Sequence, residues 1–419
     1  MSEGWSKERR MKNWNDELQA LVVEKLDMGK SVDDALISRA IDDVLVQQKR
    51  AMYLPLARRF QYKKELFDSL RRLDVLSEVS DDPEVTEIMV NGPDHIFIEK
   101  GGKLEKFERG FSSRKKLEDV VQQMAAVANR RVNEANPIVD ARLKDGSRVN
   151  IVLPPIALDG PVVTIRRFSE EPISMERLIQ WGSISREAAE FLKIMVICGY
   201  NIFISGGTGS GKTTFLGALA EYIPAGERVI TIEDSAELRL VGVDNLVRLE
   251  TRMANLEGKY EVTIRDLIRN ALRQRPDRII VGEIRSKEAF DMLNAMNTGH
   301  DGSLSTGHAN SPKDMLSRIE MMVLMGMDLP LAAVRRQIAS GIDLLVHLGR
   351  LRDKSRRVLE IEEIAGLEDE KIVLNPLYRF VEEGEADGKI KGTLVCCAKG
   401  LVHKEKLQAA GYDEAVLFH

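Results

Sequence analysis

Cysteine is nearly missing from this chain: Cys198, Cys396 and Cys397 are all that its 419 residues contain, and two of them are sequence neighbours. That count excludes a disulfide framework and fits a reducing compartment. No C-x-x-C pair occurs, so a tetracysteine zinc element is excluded on ligand number and no zinc is expected. Long apolar runs are missing as well. The longest, Ile194 to Ser205, is broken by Gly199 and Asn201, and the start from Met1 to Asn13 is polar and charged. No signal peptide and no membrane span is therefore expected, and the chain reads as cytosolic. Excess basic charge is also absent. Lys+Arg 61 against Asp+Glu 66 leaves −5, a poor match for broad binding to duplex DNA. What is present, 43% hydrophobic and 30% charged residues, is a globular composition of a length that suits two or three domains.

The patterning divides the chain into five segments. Residues 1–75 read as helical, with Leu18, Leu21, Val22 and Leu26 at three- and four-residue spacing. Within them, Lys49 to Arg72 holds eight basic residues (Lys49, Arg50, Arg58, Arg59, Lys63, Lys64, Arg71, Arg72) against Glu65 and Asp68. A solvated helix face is the plain reading. The alternative is a docking surface for a partner or anionic lipid, to which Tyr53, Phe60, Tyr62 and Phe67 would add an apolar side. Residues 76–168 change to short strands and turns around one helix, with Asn91-Gly92-Pro93-Asp94 and Asp145-Gly146 as turns, a small α+β domain. Residues 169–184, opening on the polar S-E-E-P-I-S-M, are the expected linker. Over 185–350 apolar strands alternate with amphipathic helices, the pattern of a doubly wound parallel sheet. Helix starts are marked there by Thr263 with Asp266 and by Ser311-Pro312 with Asp314. Residues 351–419 read as a strand-rich appendage, with a turn at Asp353-Lys354-Ser355.

The strongest motif is G-G-T-G-S-G-K-T, Gly206, Gly207, Thr208, Gly209, Ser210, Gly211, Lys212 and Thr213, followed by Thr214. A buried-type strand (Asn201 to Ser205) precedes it and an amphipathic helix follows, as phosphate binding requires. Glycines let backbone N–H groups curl around phosphate oxygens, and the helix N-terminus adds partial positive charge. Lys212 reaches the β- and γ-phosphates, and the Thr213 hydroxyl completes a Mg2+ shell. Two acidic strand ends bracket the motif. R-V-I-T-I-E-D-S-A-E-L carries Glu233, Asp234 and Glu237, and R-P-D-R-I-I-V-G-E-I-R carries Glu283. Such carboxylates polarise a water or hold a metal; Glu233, Asp234 and Glu283 are the metal candidates. His300 and His308 flank the strand G-S-L-S-T. They lack a third metal ligand at useful spacing and fit better as reporters of the terminal phosphate. For His308, a capping or packing role before Ser311-Pro312 is the alternative. Met315, Met321, Met322, Met325 and Met327 cluster in one helix, as core filling or an adaptable contact.

Taken in order, these blocks resemble the secretion ATPases of the type II/type IV superfamily, and more closely the CpaF-type ATPases of Tad/Flp pilus assembly. The resemblance runs through D-P-E-V-T-E-I-M-V-N-G-P-D, V-D-A-R-L-K-D-G-S-R-V-N, L-D-G-P-V-V-T-I-R-R-F, S-G-G-T-G-S-G-K-T-T, the G-E-I-R block, M-N-T-G-H-D-G-S-L-S-T-G-H-A-N-S-P and L-P-L-A-A-V-R-R-Q-I-A-S-G-I-D, about residues 75 to 350. It implies an α/β fold: a RecA-like P-loop motor domain preceded by a smaller α+β domain and a helical segment. It also implies a homohexameric ring that binds ATP and Mg2+ in the cleft between the two domains. Glu237 is then the catalytic glutamate, Glu283 the atypical Walker B acid, and His300 and His308 the histidine box. Arg148 and Arg166, with Arg167 adjacent, resemble the arginines that close onto the phosphates. The implied partners are further copies of itself and inner-membrane pilus platform proteins, with the protein at the cytoplasmic face of that membrane. The basic segment in residues 1–75 matches none of these blocks. A type IV secretion export ATPase and, less favoured by the charge, a RecA-like nucleic-acid motor are the alternatives. A nucleotide-gated scaffold is disfavoured by the complete set of Lys212, Thr213 and neighbouring acids, and a small-molecule kinase by the lack of a lid segment.

Overall fold

The computed structural model describes residues 14, 17–26, 33–48, 55–143, 145–167, 172–254 and 259–418. They fall into two units, Met1–Ser169 and Glu170–His419.

In the first unit, alternation of buried and exposed positions produces a six-stranded sheet in the order β3-β2-β1-β6-β5-β4. Its strands are β1 (Val85–Asn91), β2 (Ile96–Lys100), β3 (Lys103–Phe107), β4 (Ile138–Arg142), β5 (Arg148–Val152) and β6 (Val162–Arg166), all antiparallel. The helix Arg114–Val127, capped by the Ser113 hydroxyl, lays Leu117, Val121 and Met124 against Ile88, Val90, Val149 and Val163. A helical cluster precedes the sheet. Residues 17–25, Asp34–Gln47 and Leu56–Arg71 bury Leu18, Val22, Ile41 and Leu66 together. The basic stretch thereby loses most of the apolar side expected of a docking surface: Tyr62 packs edge-on against Trp14, and Phe67 lies against the same core. Only Phe60 of the described aromatics there stays exposed, and Tyr53, Lys49 and Arg50 lie outside the described residues. Lys63 pairs with Asp42, and Lys64 and Arg72 with Asp81, so acidic neighbours take up part of the charge.

The second unit is built on a nine-stranded sheet, β15-β14-β13-β12-β7-β11-β10-β8-β9. β7 (Ile202–Gly206), β8 (Arg228–Glu233), β9 (Asn245–Glu250), β10 (Arg278–Val281), β11 (Leu304–His308) and β12 (Leu344–Arg350) run parallel, and β7 is buried at every position, as a central parallel strand must be. Helices Arg186–Ile197 and Lys212–Ala220 cover one face, and Ile264–Ala271, Glu288–Asn297, Pro312–Gly326 and Leu331–Gly341 cover the other. Both marked helix starts form. Thr263 and Asp266 make a reciprocal capping box, and the Ser311 hydroxyl accepts from the Asp314 amide ahead of Pro312.

Two expected boundaries shift. The segment 169–184 contains the helix Met175–Gln180, whose Met175 and Leu178, with Ile184, are buried in the second unit's core, so its latter half belongs to that unit. The expected appendage is no separate layer either: β13 (Arg356–Glu368), β14 (Lys371–Ala386) and β15 (Lys389–Cys396) continue the sheet antiparallel from β12. The chain then returns along the sheet, where the fully buried Glu363 accepts hydrogen bonds from the Val402 and His403 amides and from Asn375 Nδ2. The methionine helix splits by face: Met315 and Met322 are core, while Met321 and Met325 are exposed.

Candidate functional site

A parallel sheet gathers its loops at the carboxyl ends of its strands, and the register of β7, β11 and β12 puts Gly206, His308 and Leu348 side by side there. The P-loop leaves β7 at that edge. Gly211 stands at the N-cap of the helix Lys212–Ala220 with φ +94°, a left-handed conformation that glycine takes without strain. Gly207, Thr208 and Gly209 face solvent, and Ser210 Oγ is buried with no hydrogen-bond partner. The first amides of that helix have no intrahelical acceptor, so the loop presents a set of donors suited to a phosphate.

Lys212 is 7% exposed and folds back onto its own loop, donating to the Gly206 and Gly207 carbonyls at 3.1 Å each and to His308 Nδ1 at 3.2 Å. Because an ammonium only donates, His308 Nδ1 accepts and the ring proton sits on Nε2. That Nε2 lies 2.8 Å from Glu283 Oε1, at an angle too bent for a linear hydrogen bond. Burial, aided by the Lys212 and Arg285 charges and opposed by Glu283, holds His308 below the usual imidazole value, so it is neutral at pH 7. From Glu283 the chain of contacts continues: Arg285 donates to Glu283 Oε2 at 2.8 Å and lies 3.5 Å from Asp234 Oδ2. Its own pKa is raised by the Glu283 hydrogen bond first, then by the Glu283, Asp234 and Glu237 charges, which places Glu237 within this electrostatic cluster. The structure therefore brings Lys212, His308, Glu283, Asp234 and Glu237 to one edge, with Arg285 as the common counter-charge of the three carboxylates.

Three expected residues are placed differently. His300 precedes β11, whereas His308 ends it, so the five-residue strand, roughly 13 Å from Leu304 to His308 at about 3.3 Å per residue, separates them. Its neighbourhood is the opposite sheet edge, where Ser303 donates to the His300 carbonyl and to Asn201 Oδ1. Glu233 is 3% exposed and turned inward: Oε1 accepts the Glu237 and Leu238 amides at 2.9 Å each, and burial pushes its pKa up to about 7 against the pull of those amides. A metal would meet Asp234 or Glu283 more readily. Arg167, in the first unit, donates to the Asp82 and Val85 carbonyls, which occupies its guanidinium within its own sheet. In that unit Arg148 and Arg166 face each other directly across β5 and β6, a like-charge pair that disfavours the strand pairing; Arg148 has Asp140 at 3.7 Å.

Sequence reasoning missed two neighbours of the P-loop. Arg285 was legible only as the last letter of G-E-I-R. Arg356, at the start of β13, lays its Cδ 3.6 Å from where a Gly211 Cβ would be, a contact that depends on the β12–β13 hairpin.

For a nucleotide, the orphan amides, the buried unpartnered Ser210 hydroxyl and Lys212 fit. For Mg2+, the Thr213 hydroxyl at the start of the P-loop helix and the carboxylates of Glu283 and Asp234 are oxygen donors of the kind that suits a cation keeping several waters and phosphate oxygens; no group of three or more His, Cys, Asp or Glu side chains able to hold a metal occurs among the described residues. Among them, too, no helix is long and apolar enough to cross a membrane.

The family described as Type II/IV secretion system protein matches residues 71–400. The chain is 37% identical over 282 residues to a putative conjugal transfer protein of Mycobacterium tuberculosis, covering 66% of this chain and 80% of that protein. It is 33% identical over 303 residues to the type IV secretion system protein VirB11 of Brucella suis, covering 66% and 84%. The X-ray structure of the Yersinia pseudotuberculosis ATPase DotB superposes with a TM-score of 0.50 at 17% identity, covering 74% of this chain and 80% of that one, a likeness of fold. The chain belongs to the type II/IV secretion system ATPase family, and ATP hydrolysis is the activity that this membership supports.

Proposed function

We propose that the protein is a ring-forming, Mg-ATP-hydrolysing motor of six copies that powers assembly, or assembly and retraction, of a Tad/Flp-type pilus through an inner-membrane platform protein. The observation that carries the hydrolytic part is the unbroken line of contacts from the P-loop Lys212 through His308 to Glu283 and Arg285. Lys212 leaves the Gly206 and Gly207 carbonyls to donate to the β- and γ-phosphates, and the amides of Gly207 to Thr214 hold the remaining oxygens. Thr213 and Glu283, with Asp234 nearby, are the residues to hold Mg2+, which when bound offsets phosphate charge. Glu237 accepts a proton from the attacking water, and neutral His308, freed from Lys212, is placed to sense the terminal phosphate. Arg148 and Arg166 complete the set. Two guanidiniums held opposite each other at a cost to the sheet are well matched to an anion shared between them.

The pilus assignment rests on the resemblance of the ordered blocks to CpaF-type ATPases, and a location at the inner face of the membrane follows from it. Export in a type IV secretion system is the second reading, favoured by the 33% identity to VirB11. The test has two stages. Phosphate release by the purified protein should be lost in Lys212→Ala and in Glu237→Gln, with nucleotide binding largely kept in the latter. Full activity in Glu237→Gln would remove that residue from the mechanism. Capture from membranes with and without residues 1–75 should then recover a pilus platform protein; recovery of type IV secretion components would favour the second reading.

A further inference from the structure

Glu233 ends β8, at the edge where the other acids gather, yet its carboxylate points inward. One oxygen takes both the Glu237 and the Leu238 amides at 2.9 Å, closing a ring from the strand end to residue 238. Residues 236–240 have no regular secondary structure, so no helix or strand ladder holds the Glu237 backbone. The ring is anchored at both ends. Leu238 is buried in the core beside the P-loop helix, and the Glu233 carbonyl is paired to the Thr251 amide at 3.0 Å. Its side wall is β10: a Cβ on Gly282 would sit 2.9 Å from Glu233 Cγ, so the strand end that leads into Glu283 lies flat against this side chain. One buried carboxyl thus holds the loop of Glu237, while the side chain that carries it packs on the strand end that leads to Glu283.

We propose that Glu233 is a positioning residue that clasps the 234–238 loop and so fixes where Glu237 presents its carboxylate, rather than a ligand of the metal. The inference rests on the assignment of Glu237 to proton transfer proposed above. Without the clasp the loop keeps its anchors but gains freedom at Glu237, and a displacement of about 1 Å at a catalytic group lowers turnover by up to about 100-fold.

The test uses the full-length protein with Glu233→Met, Glu233→Gln and Glu237→Gln, read by hydrogen exchange of the Glu237 and Leu238 amides and by ATPase kinetics. Methionine has a similar length and offers at most a weak sulfur acceptor. It should expose both amides to exchange and lower kcat at least about tenfold, with KM for ATP within about threefold, because the P-loop is untouched. Glutamine keeps an oxygen where Oε1 stands. It should restore amide protection and most of the lost rate at an unchanged Mg2+ requirement, although its buried NH2 lowers the melting temperature. The proposal is overturned by wild-type kcat in Glu233→Met, by unprotected amides in Glu233→Gln, or by a glutamine variant as inactive as methionine that needs more Mg2+, which would make the carboxylate a metal ligand. Full activity in Glu237→Gln would instead sink the reading of Glu237, and with it the catalytic half of the proposal; amide protection tests the clasp by itself.

Discussion

Asn201 interrupts the apolar run that leads into the P-loop, and its replacement by leucine is the sharpest test of how the central strand is held. The residue is 2% exposed and stands just before β7. Its Nδ2 donates to the Gly341 carbonyl at 2.8 Å and more weakly to that of Met296 at 3.4 Å, while its Oδ1 accepts the Ser303 amide at 3.0 Å. One amide therefore joins the start of β7 to the ends of two helices and to the start of β11. Leucine has the same number of side-chain heavy atoms, is bulkier at its two methyls, and offers none of these bonds. The two short ones each leave a buried partner without its bond, worth about 1–3 kcal/mol apiece. Counting the 3.4 Å contact as nothing and allowing for the added apolar burial, Asn201→Leu should destabilise the second unit by about 3 kcal/mol. For a unit of this size that is a fall in melting temperature of about 6–12 °C. Asn201→Asp keeps the acceptor for Ser303 but sets a carboxylate near Asp343, which already accepts the Asn201 backbone N–H at 2.6 Å, and should fall further. The strand places this site roughly 17 Å from the P-loop, so nucleotide affinity measured well below the melt should change by less than about twofold. A melting temperature within about 2 °C of wild type would refute the reasoning.

Gly302→Ala tests the same edge from β11. At φ +75° a Cβ would lie 1.6 Å from Arg278 Nη1, and Arg278 is a buried guanidinium held by Glu227 and the Val196 carbonyl. A loss of about 4 kcal/mol, from left-handed strain plus a broken buried ion pair, should appear as a lowered urea midpoint. His347 provides a pH test: it is 6% exposed, within 2.9 Å of Ser205 Oγ, and burial lowers its pKa from 6.5, against the pull of Glu360 and Asp314 and with the help of Lys212. Because the folded value is the lower one, the unfolded chain takes up the proton first as pH falls. The stability is full above pH 6.5 and is lost as pH drops from there through the folded value. Melting curves between pH 7.5 and 5.5, about two units spanning that window, should show a shallower decline in His347→Gln than in wild type, and an equal slope would count against it.

Much of the motor was legible because it is local. The P-loop, the strand before it and the caps at Thr263 and Ser311 each lie within a dozen residues, where spacing and side-chain chemistry decide the backbone. The misplacements all involve distance. His300 and His308 share a short sequence, but a strand runs between them, and a strand carries its two ends to opposite edges of the sheet. Glu233 read as one more acid at a strand end; that its side chain turns back depends on a loop closing over it and on Gly282 leaving it room. Arg167 read as part of a basic pair, while its partners, Asp82 and Val85, lie more than eighty residues earlier. The polar S-E-E-P opening concealed Met175 and Leu178 as core residues because the core they enter is assembled from distant helices and strands. The same long-range pairing draws β13 to β15 into the motor sheet.

The charged groups around the P-loop are balanced against one another, and that balance bears on how a nucleotide is held. Lys212 is nearly buried, and a buried ammonium without partners is destabilising by several kcal/mol. Two loop carbonyls and a neutral histidine supply the acceptors. Burial keeps His308 neutral; a protonated ring would set a second cation against Lys212. Glu283 and Asp234 would likewise repel each other across the same edge, and Arg285 lies between them. Lys212, Glu283 and Asp234 are thus already engaged with the protein's own groups. An arriving nucleotide must displace those internal bonds, so part of its binding energy goes into rearrangement and its affinity is lowered by that amount. A motor that turns over has to return to the empty state in each cycle. Groups that can satisfy one another let product leave without exposing a destabilised intermediate, and an exchange of partners at Lys212, His308 and Arg285 would give nucleotide arrival a structural consequence beyond the P-loop.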